Sequence, residues 1–282
     1  MAHRRRLDAE LARRGLVASR DDARAAIEAG RVTVDGAPAL KATRQVLPSA
    51  DLVVLAPARR FVSRGGGKLD HALEVFDVVV AGRRCLDAGI STGGFTDCLL
   101  QRGAAHVVGV DVGYGQVAER VRTDERVDVR ERTNIRDVVA EDLDAPVEVV
   151  VCDVSFIALR TVLPVLVDLT TDHADVVALV KPQFEADRDE VGDGGVVRRP
   201  DVWERVLGEV AASAAELGWT VVDVTASPLP GPAGNVEFLV HLRRATSDSA
   251  VGVGMVEELL PAVLDRAREL ATGAGVDLVE AP

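Results

Sequence analysis

The hydrophobic pattern of the chain changes character near residue 60. Before that point the apolar positions fall at helical spacing. Leu7 and Leu11 stand at i, i+4, with Gly15 as a plausible stop. Ser19, followed three residues later by Asp22, is a capping-box-like start for a second helix that buries Ala23, Ala26 and Ile27 and ends at Gly30. Arg31-Val32-Thr33-Val34 then alternates as a strand into the turn pair Asp35-Gly36. Arg59-Arg60-Phe61-Val62 reads as a short linker, and beyond it strands and helices alternate, which predicts an α/β fold with a parallel sheet covered on both faces. Predicted strands are Arg84–Ile90, His106–Val112, Val127–Arg132, Glu148–Val154, Val176–Pro182, Thr220–Ala226 and Val236–Leu242. Helices are predicted at Lys68–Val75, Gly94–Gln101, Phe156–Leu169 and Asp201–Leu217. An amphipathic helix from Met255 to Leu270 is expected to pack on the body without carrying chemistry. The implied organisation is a small α+β head over 1–58, a linker over 59–62, a body over 63–245 and a helical tail over 246–282.

Composition alters this picture in one respect. The 282 residues, 48% hydrophobic and 28% charged, suit ordinary globular domains. The longest apolar region, Val147 to Leu169, is interrupted by Glu148, Asp153 and Arg160 and fits no membrane span. The start lacks the apolar stretch of a secretory signal, and Cys85, Cys98 and Cys152 form no C-x-x-C pair, so a reducing cytoplasm is the expected setting. The net charge of −12 speaks against nucleic acid only as an average: residues 1–60 carry 12 Lys+Arg against 7 Asp+Glu, and the remainder 21 against 38. A basic head on an acidic body suits phosphate binding by the head. The other reading is that arginine is simply abundant in this sequence. Arg13, Arg14, Arg20, Arg24 and Arg31 lie on or between the head's elements, so a compact positive face is geometrically reasonable.

The first strand of the body runs into Asp87-Ala88-Gly89-Ile90-Ser91-Thr92-Gly93-Gly94-Phe95-Thr96 and then a helix. Doubly wound sheets bind nucleotides at such turns, where glycine lets a ligand approach the backbone. Glycines at 89, 93 and 94 have the wrong spacing for a dinucleotide G-x-G-x-x-G turn. Asp87, two residues before the first glycine, instead suits a cationic amino-acid group. Asp111 closes the second strand and can accept both hydroxyls of a ribose, which fits NAD as well as S-adenosylmethionine. Asn134, after the third strand, lies near the expected adenine edge.

Four polar residues stand where apolar ones are expected or where the chain turns out of a strand. Asp153 follows Val149-Val150-Val151-Cys152, Lys181 follows Val176-Val177-Ala178-Leu179-Val180, Glu237 interrupts the strand predicted to begin at Val236, and Lys68 follows Gly65-Gly66-Gly67. At the carboxyl ends of neighbouring parallel strands, Asp153 and Lys181 converge on one crevice. Taken singly they make a strand-end ion pair, with Lys68 solvated and Glu237 at an edge. Together, beside the glycine turn, they make a catalytic constellation. His71, His106, His173 and His241 have no metal-ligand spacing, and no metal is expected.

The run RLDAELARRGLVASRDDARAAIEAGRVTVDG resembles the S4 RNA-binding domain over roughly residues 5–55. That resemblance implies docking of the helix pair on irregular or double-stranded RNA through phosphates and shape, with Arg4, Arg6, Arg13, Arg14, Arg20 and Arg31, joined by Arg64, as RNA-contacting residues. The order Lys68, Asp153, Lys181, Glu237, with DAGISTGGFT between the first two, resembles the FtsJ-type ribose 2′-O-methyltransferases. With the head, and with SRGGGKL, DVGYGQ, CDVSFI, LVKPQFE and SPLPGPAGNVEF, the resemblance narrows to the TlyA family of ribosomal RNA cytidine 2′-O-methyltransferases, historically also labelled haemolysins. It implies a Rossmann-like doubly wound methyltransferase sheet and S-adenosylmethionine as cofactor. The cofactor would be held by Asp87, Gly89, Ser91, Thr92, Gly93, Gly94, Phe95, Asp111, Asn134 and Asp153. Ribosomal RNA or ribosomal subunits would be the partner, with no membrane and no obligate protein partner. Phe61 stands where the family pattern has tryptophan.

A ribose hydroxyl must lose its proton as it attacks a sulfonium methyl. An ordinary lysine, with a pKa of about 10.4, is protonated at neutral pH, and desolvation and a second cation both favour the neutral amine. Lys181 is therefore the expected base, with Lys68 as the second cation and ribose-positioning group and Asp153 and Glu237 orienting the two lysines. Asp153 can also face a sulfonium. The alternatives are a membrane-active cytolysin and an RNA-binding protein with an inactive methyltransferase body. Pro228-Leu229-Pro230-Gly231-Pro232 reads as a rigid loop delivering Glu237 or as a plain connection, and Asp187 to Gly195 as a flap or a solvated loop.

Overall fold

The structure, a computed structural model, describes residues 4–55, 60–245 and 252–279, with backbone alone at 252–256. Its contacts divide it into two units, Met1–Arg60 and Phe61–Pro282.

In the head, β1 (Arg5–Arg6), α1 (Leu7–Arg13) and α2 (Arg20–Glu28) are followed by β2 (Val32–Val34), β3 (Ala37–Pro38), β4 (Gln45–Val46) and β5 (Leu52–Val54). Ser19 caps α2 as its spacing predicts: its Oγ accepts the Asp22 N–H at 3.1 Å and donates to the Asp22 carboxylate at 2.7 Å. Leu7, Leu11, Ala23, Ala26 and Ile27 close over Val32, Val34 and Leu52 to form a small core. The β1–β4 pair has no sequence signal, because strands of two residues are too short to alternate.

The body runs α3 (Arg64–Val75), β6 (Arg84–Ala88), α4 (Gly94–Gln101), β7 (His106–Val110), α5 (Glu119–Arg122), β8 (Val127–Arg130), β9 (Val147–Cys152), α6 (Leu159–Asp168), β10 (Thr170–Val180), α7 (Pro182–Glu185), α8 (Pro200–Glu216), β11 (Trp219–Ala226), β12 (Phe238–Arg244) and α9 (Gly252–Gly273). Among the described residues its strands form one seven-stranded sheet in the order β11-β12-β10-β9-β6-β7-β8. Strands β10, β9, β6, β7 and β8 are parallel, as expected for a doubly wound sheet. At β12 the expectation fails, because this strand lies antiparallel between β10 and β11. The segment 227–237 joins β11 to β12 without a helix, and so short a connection returns the chain antiparallel, whereas a parallel return needs a crossover.

Strands β6, β7, β8 and β9 each end two residues before their predicted ends, at Ala88, Val110, Arg130 and Cys152. The chain therefore leaves the sheet just before Gly89, Asp111 and Asp153. Glu237 likewise stands before β12 rather than inside it, although its carbonyl still accepts the Ser227 N–H at 2.8 Å. Strand β10 begins at Thr170 rather than Val176, with an irregular register between Thr170 and Asp175.

Helix α3 begins at Arg64, four residues before its predicted start, and takes in the glycine triplet. Glycine within a helix costs about 1 kcal/mol relative to alanine. Here it permits close packing, since a Cβ on Gly66 would lie 2.3 Å from Phe61 Cγ and 2.9 Å from the Gly94 carbonyl oxygen. Phe61 and Val62, at the end of the expected linker, are fixed to the body: Phe61 is buried beside Leu69 and Phe95, and the Val62 N–H donates to Asp97 at 2.8 Å. Arg59 lies outside the described residues.

Helix α9 extends the predicted Met255–Leu270 at both ends, and its Leu260, Leu264, Ala267 and Ala271 join the core against β11 and α8. Buried His241, within β12, stacks on Phe76 and lies 2.7 Å from Asp175 in the core of the sheet.

Candidate active site

The carboxyl ends of β6, β7, β9 and β10 open onto three adjoining cavities. The largest, about 530 Å³, is bordered by Gly89, Asp111, Gln116, Asn134, Asp153 and Phe156. A second, about 440 Å³, is lined by Lys68, Asp153, Lys181 and Glu237 together with Phe156 and Phe184. The smallest, about 140 Å³, lies between Gly65 of α3, the turn from Gly89 to Phe95, and Pro230. Ser91 and Asp153 border all three.

The glycine turn is shaped by one close approach. Gly89 has φ +95°, and a Cβ there would sit 2.5 Å from the Asp153 carbonyl oxygen. A side chain would thus both strain the backbone and push β6 away from the end of β9. Ser91, at φ +48°, donates its N–H to an Asp111 carboxylate oxygen at 2.8 Å, and the other Asp111 oxygen accepts the Gly113 N–H at 2.7 Å. Asp111 is held by these bonds, and its oxygens keep lone pairs toward the largest cavity. Asn134 borders the same cavity while its side chain caps the next turn, accepting the Arg136 N–H at 3.1 Å.

Asp87 stands differently from the expectation drawn for it. It is fully buried beneath the turn and lines none of these cavities. One carboxylate oxygen accepts the Thr96 hydroxyl at 2.6 Å, and the other is buried without a hydrogen-bond partner among the described residues. Burial, reinforced by the charges of Asp153 and Asp111 and opposed by the Thr96 bond, pushes its pKa up to about 7.

The four candidate catalytic residues, from four separate segments, come together as two ion pairs. Lys181 Nζ lies 2.6 Å from an Asp153 carboxylate oxygen and donates to Ser155 Oγ at 2.9 Å. Buried Lys68 pairs with Glu237, which is also buried. Lys181 occupies the turn between β10 and α7, with Pro182 at the first helical position, where no N–H is required. Glu185, at the end of α7, reaches back to accept the Leu159 N–H and pairs with Arg160 at 3.1 Å. It thereby fixes the start of α6 behind the Asp153 loop. Arg64 borders the smallest cavity and donates to the Pro230 carbonyl at 2.7 Å, so it is placed at this site, in the body.

In the head, Arg6, Arg20 and Arg24 gather on Asp8, while Arg13 and Arg14 bind Glu10. Arg14 also donates to the Ala50 and Pro48 carbonyls, each at 2.8 Å, and is thereby committed to the head's own structure. Arg31 donates to the Leu55 carbonyl at 3.1 Å, and Arg4 is exposed.

The sequence matches the FtsJ-like methyltransferase family over residues 61–244 and the S4 domain over residues 5–52. It is 52% identical over 264 residues to the 16S/23S rRNA (cytidine-2′-O)-methyltransferase TlyA of Mycobacterium tuberculosis, covering 93% of this chain and 98% of that protein. The chain belongs to the TlyA family of FtsJ-like methyltransferases. YqxC of Bacillus subtilis is 42% identical, with 98% of each chain covered. A solved structure of a hemolysin-named protein from Streptococcus thermophilus superposes with a TM-score of 0.70 at 35% identity, covering 98% of this chain and 99% of that one.

In this TlyA-family chain several site residues carried no obvious sequence signal. Phe156 is 92% exposed, holds a left-handed φ of +62°, and packs its ring 5.3 Å from that of Phe184 at the rim of the Lys181 cavity. An exposed aromatic in a strained backbone is a functional signature, but neither its exposure nor its φ is written in the local sequence pattern. Asn235, buried, donates to the Gly195 carbonyl at 2.7 Å and accepts the Val197 N–H at 2.9 Å, tying the glycine-rich end of the 187–195 loop to the approach of Glu237.

Proposed function

We propose that the chain methylates the ribose 2′-hydroxyl of cytidines in ribosomal RNA, as free RNA or within ribosomal subunits, using S-adenosylmethionine, with the head holding the RNA. The observation that carries this reading is the convergence of Lys68, Asp153, Lys181 and Glu237 on one cavity that shares Ser91 and Asp153 with the cavity beside Asp111. The relative named for cytidine-2′-O-methylation of 16S and 23S rRNA supports the substrate. A cytoplasmic setting goes with that substrate. Among the described residues no helix is long and apolar enough to cross a membrane.

The residues present fit the cofactor. The cradle at Gly89 has no room for a Cβ, Asp111 presents a fixed carboxylate to a ribose, and an unpartnered Asp87 oxygen lies buried beneath the turn. When bound, S-adenosylmethionine supplies an electrophilic sulfonium methyl. Lys181 takes the proton of the 2′-hydroxyl, and Asp153 and Ser155 fix the amine and stabilise the ammonium that forms. Lys68, anchored by Glu237, lines the same cavity and donates to the ribose there. The Phe156–Phe184 pair offers the target base an aromatic face at the rim.

The direct test incubates the purified chain with S-adenosylmethionine and 16S- and 23S-containing subunits and maps 2′-O-methyl groups. New methyls on cytidine riboses are expected; methylation confined to bases, or none, overturns the reading.

Asp87 gives a pH dependence whose sign is fixed. Its folded pKa of about 7 lies above the unfolded value near 3.9, so the stability favoured by its neutral form at low pH is lost as pH rises through 7. Asp87 borders none of the three cavities, so a cationic amino group seated above the turn would act on it through the field rather than by contact. That charge favours the ionised form, and cofactor binding would release a proton below that pH. Cofactor affinity measured calorimetrically is expected to rise by up to about tenfold per pH unit from 5.5 and to level off near 7. Asp87→Asn should flatten the curve and lower the plateau. A curve in the unsubstituted chain that is already flat would remove Asp87 from cofactor binding.

A further inference from the structure

Asp8 is the most heavily subscribed acid in the head. Its side chain is 0% exposed, yet it meets three guanidinium groups whose side chains are 40%, 51% and 48% exposed: Arg6, Arg20 and Arg24. Arg6 binds it as a fork, Nε to one oxygen at 3.1 Å and NH2 to the other at 2.9 Å. Arg20 NH2 lies 3.3 Å and Arg24 Nε 3.5 Å from the same second oxygen, while the first also accepts the Ala9 N–H at 2.8 Å. Arg24 has one further partner, exposed Asp21, at 3.1 Å. These arginines come from β1 and α2, so Asp8 joins the first strand to the second helix.

One arginine would be enough to neutralise a buried carboxylate. Three leave an excess of positive charge on mutually repelling guanidinium groups whose side chains are each about half exposed, with Arg24 also paired to Asp21. Glu10, two residues along α1, provides an internal contrast. It binds Arg13 and Arg14, and Arg14 is half-buried and spends its other donors on backbone carbonyls. Arg13 is 49% exposed, so the contrast lies in Arg14: one of the two Glu10 arginines is committed to the head's own carbonyls, whereas all three Asp8 arginines remain 40–51% exposed.

We propose that Asp8 is a positioning residue for RNA: its buried carboxylate gathers Arg6, Arg20 and Arg24 into a preformed clamp for an RNA backbone phosphate. This deepens the RNA-holding reading of the head and rests on it. Free arginines lose side-chain entropy when they order on a phosphate, and a carboxylate that orders them in advance removes that cost from binding. Planar forks that already share one oxyanion are also spaced to share a second.

The test separates positioning from charge. Removing an acid from a basic RNA-binding face should, by charge count alone, tighten RNA binding and steepen its salt dependence. Positioning predicts the reverse. In the full chain, Asp8→Asn is expected to bind labelled, in vitro transcribed 23S rRNA about tenfold more weakly at 0.15 M salt. Its slope of log affinity against log salt should be shallower, with the loss of activity falling on KM for RNA rather than on kcat. Unfolding melts establish that the variant is folded. Should it fail to fold, the charge-preserving pair Arg20→Lys and Arg24→Lys, on exposed side chains, is expected to lose several-fold affinity at constant net charge, because an ammonium cannot bridge Asp8 and a phosphate as a fork. Unchanged or tighter binding by a folded variant overturns the inference while leaving the RNA-holding reading intact. If the unsubstituted chain shows no salt-dependent RNA binding, both are overturned.

Discussion

Replacing Lys181 with alanine is expected to lower methyl transfer to ribosomal RNA by about 10³-fold, within the range supplied by a positioned general base. Three observations set this expectation. Lys181 is held between Asp153 at 2.6 Å and Ser155 at 2.9 Å, which leaves the rest of its amine toward the cavity it lines. Its backbone is set by the exit of β10 and the proline that starts α7, so removing the side chain leaves the strand end in place. The cavity beside Asp111, where the cofactor is expected, is bordered by Asp153 but not by Lys181. Cofactor affinity in Lys181→Ala should therefore remain within about threefold of the unsubstituted chain, near RT in free energy and too small to signal a lost direct contact. Single-turnover methyl transfer and calorimetry on the same preparation separate the two quantities. Activity within tenfold of the unsubstituted chain would assign proton removal to another group. An equal collapse of cofactor binding would make Lys181 a cofactor residue instead.

The residues that carry this expectation are legible in the sequence, and the reason is physical. Asp153 and Lys181 follow uninterrupted apolar runs, and a charge at the end of a buried parallel strand has to face the crevice where the chain leaves the sheet. The Ser19 cap and the core face of α2 were legible for a similar reason, since both are local patterns within four residues. What was hidden depends on distant partners. The reversal of β12 follows from the short path taken by 227–237, and no periodicity within the strand records its direction. Asp8 reads as an ordinary polar residue on a helix; only the packing of β1 and α2 around it makes it buried and threefold paired. Arg13 and Arg14 look like equivalent members of a basic patch, yet Arg14 is committed to carbonyls more than thirty positions away. The sequence pattern thus reports which residues face the core and where strands end. It does not report which charges are already spent inside the fold.

The Lys68–Glu237 pair presents that distinction at the active site, and the second large effect is expected there. Both side chains are buried, and they come from segments 169 positions apart. Removing one partner strands the other as an uncompensated buried charge, which costs about 3–5 kcal/mol. Lys68→Met and Glu237→Leu should each lower unfolding stability by that amount and each abolish detectable methyl transfer. Taken singly, these results cannot distinguish a structural pair from a catalytic one. The double variant Lys68→Met/Glu237→Leu can, because replacing a buried ion pair with apolar groups of similar volume is often neutral. Denaturant unfolding is expected to show most of the lost stability restored in the double variant, so that the two single losses fail to add. Methyl transfer should nonetheless remain absent, because Lys68 lines the same cavity as Lys181 and, in the mechanism proposed above, its ammonium is the donor to the ribose. Recovery of activity together with stability would make the pair a scaffold for the β12 approach and leave Lys181 and Asp153 to carry the chemistry without it.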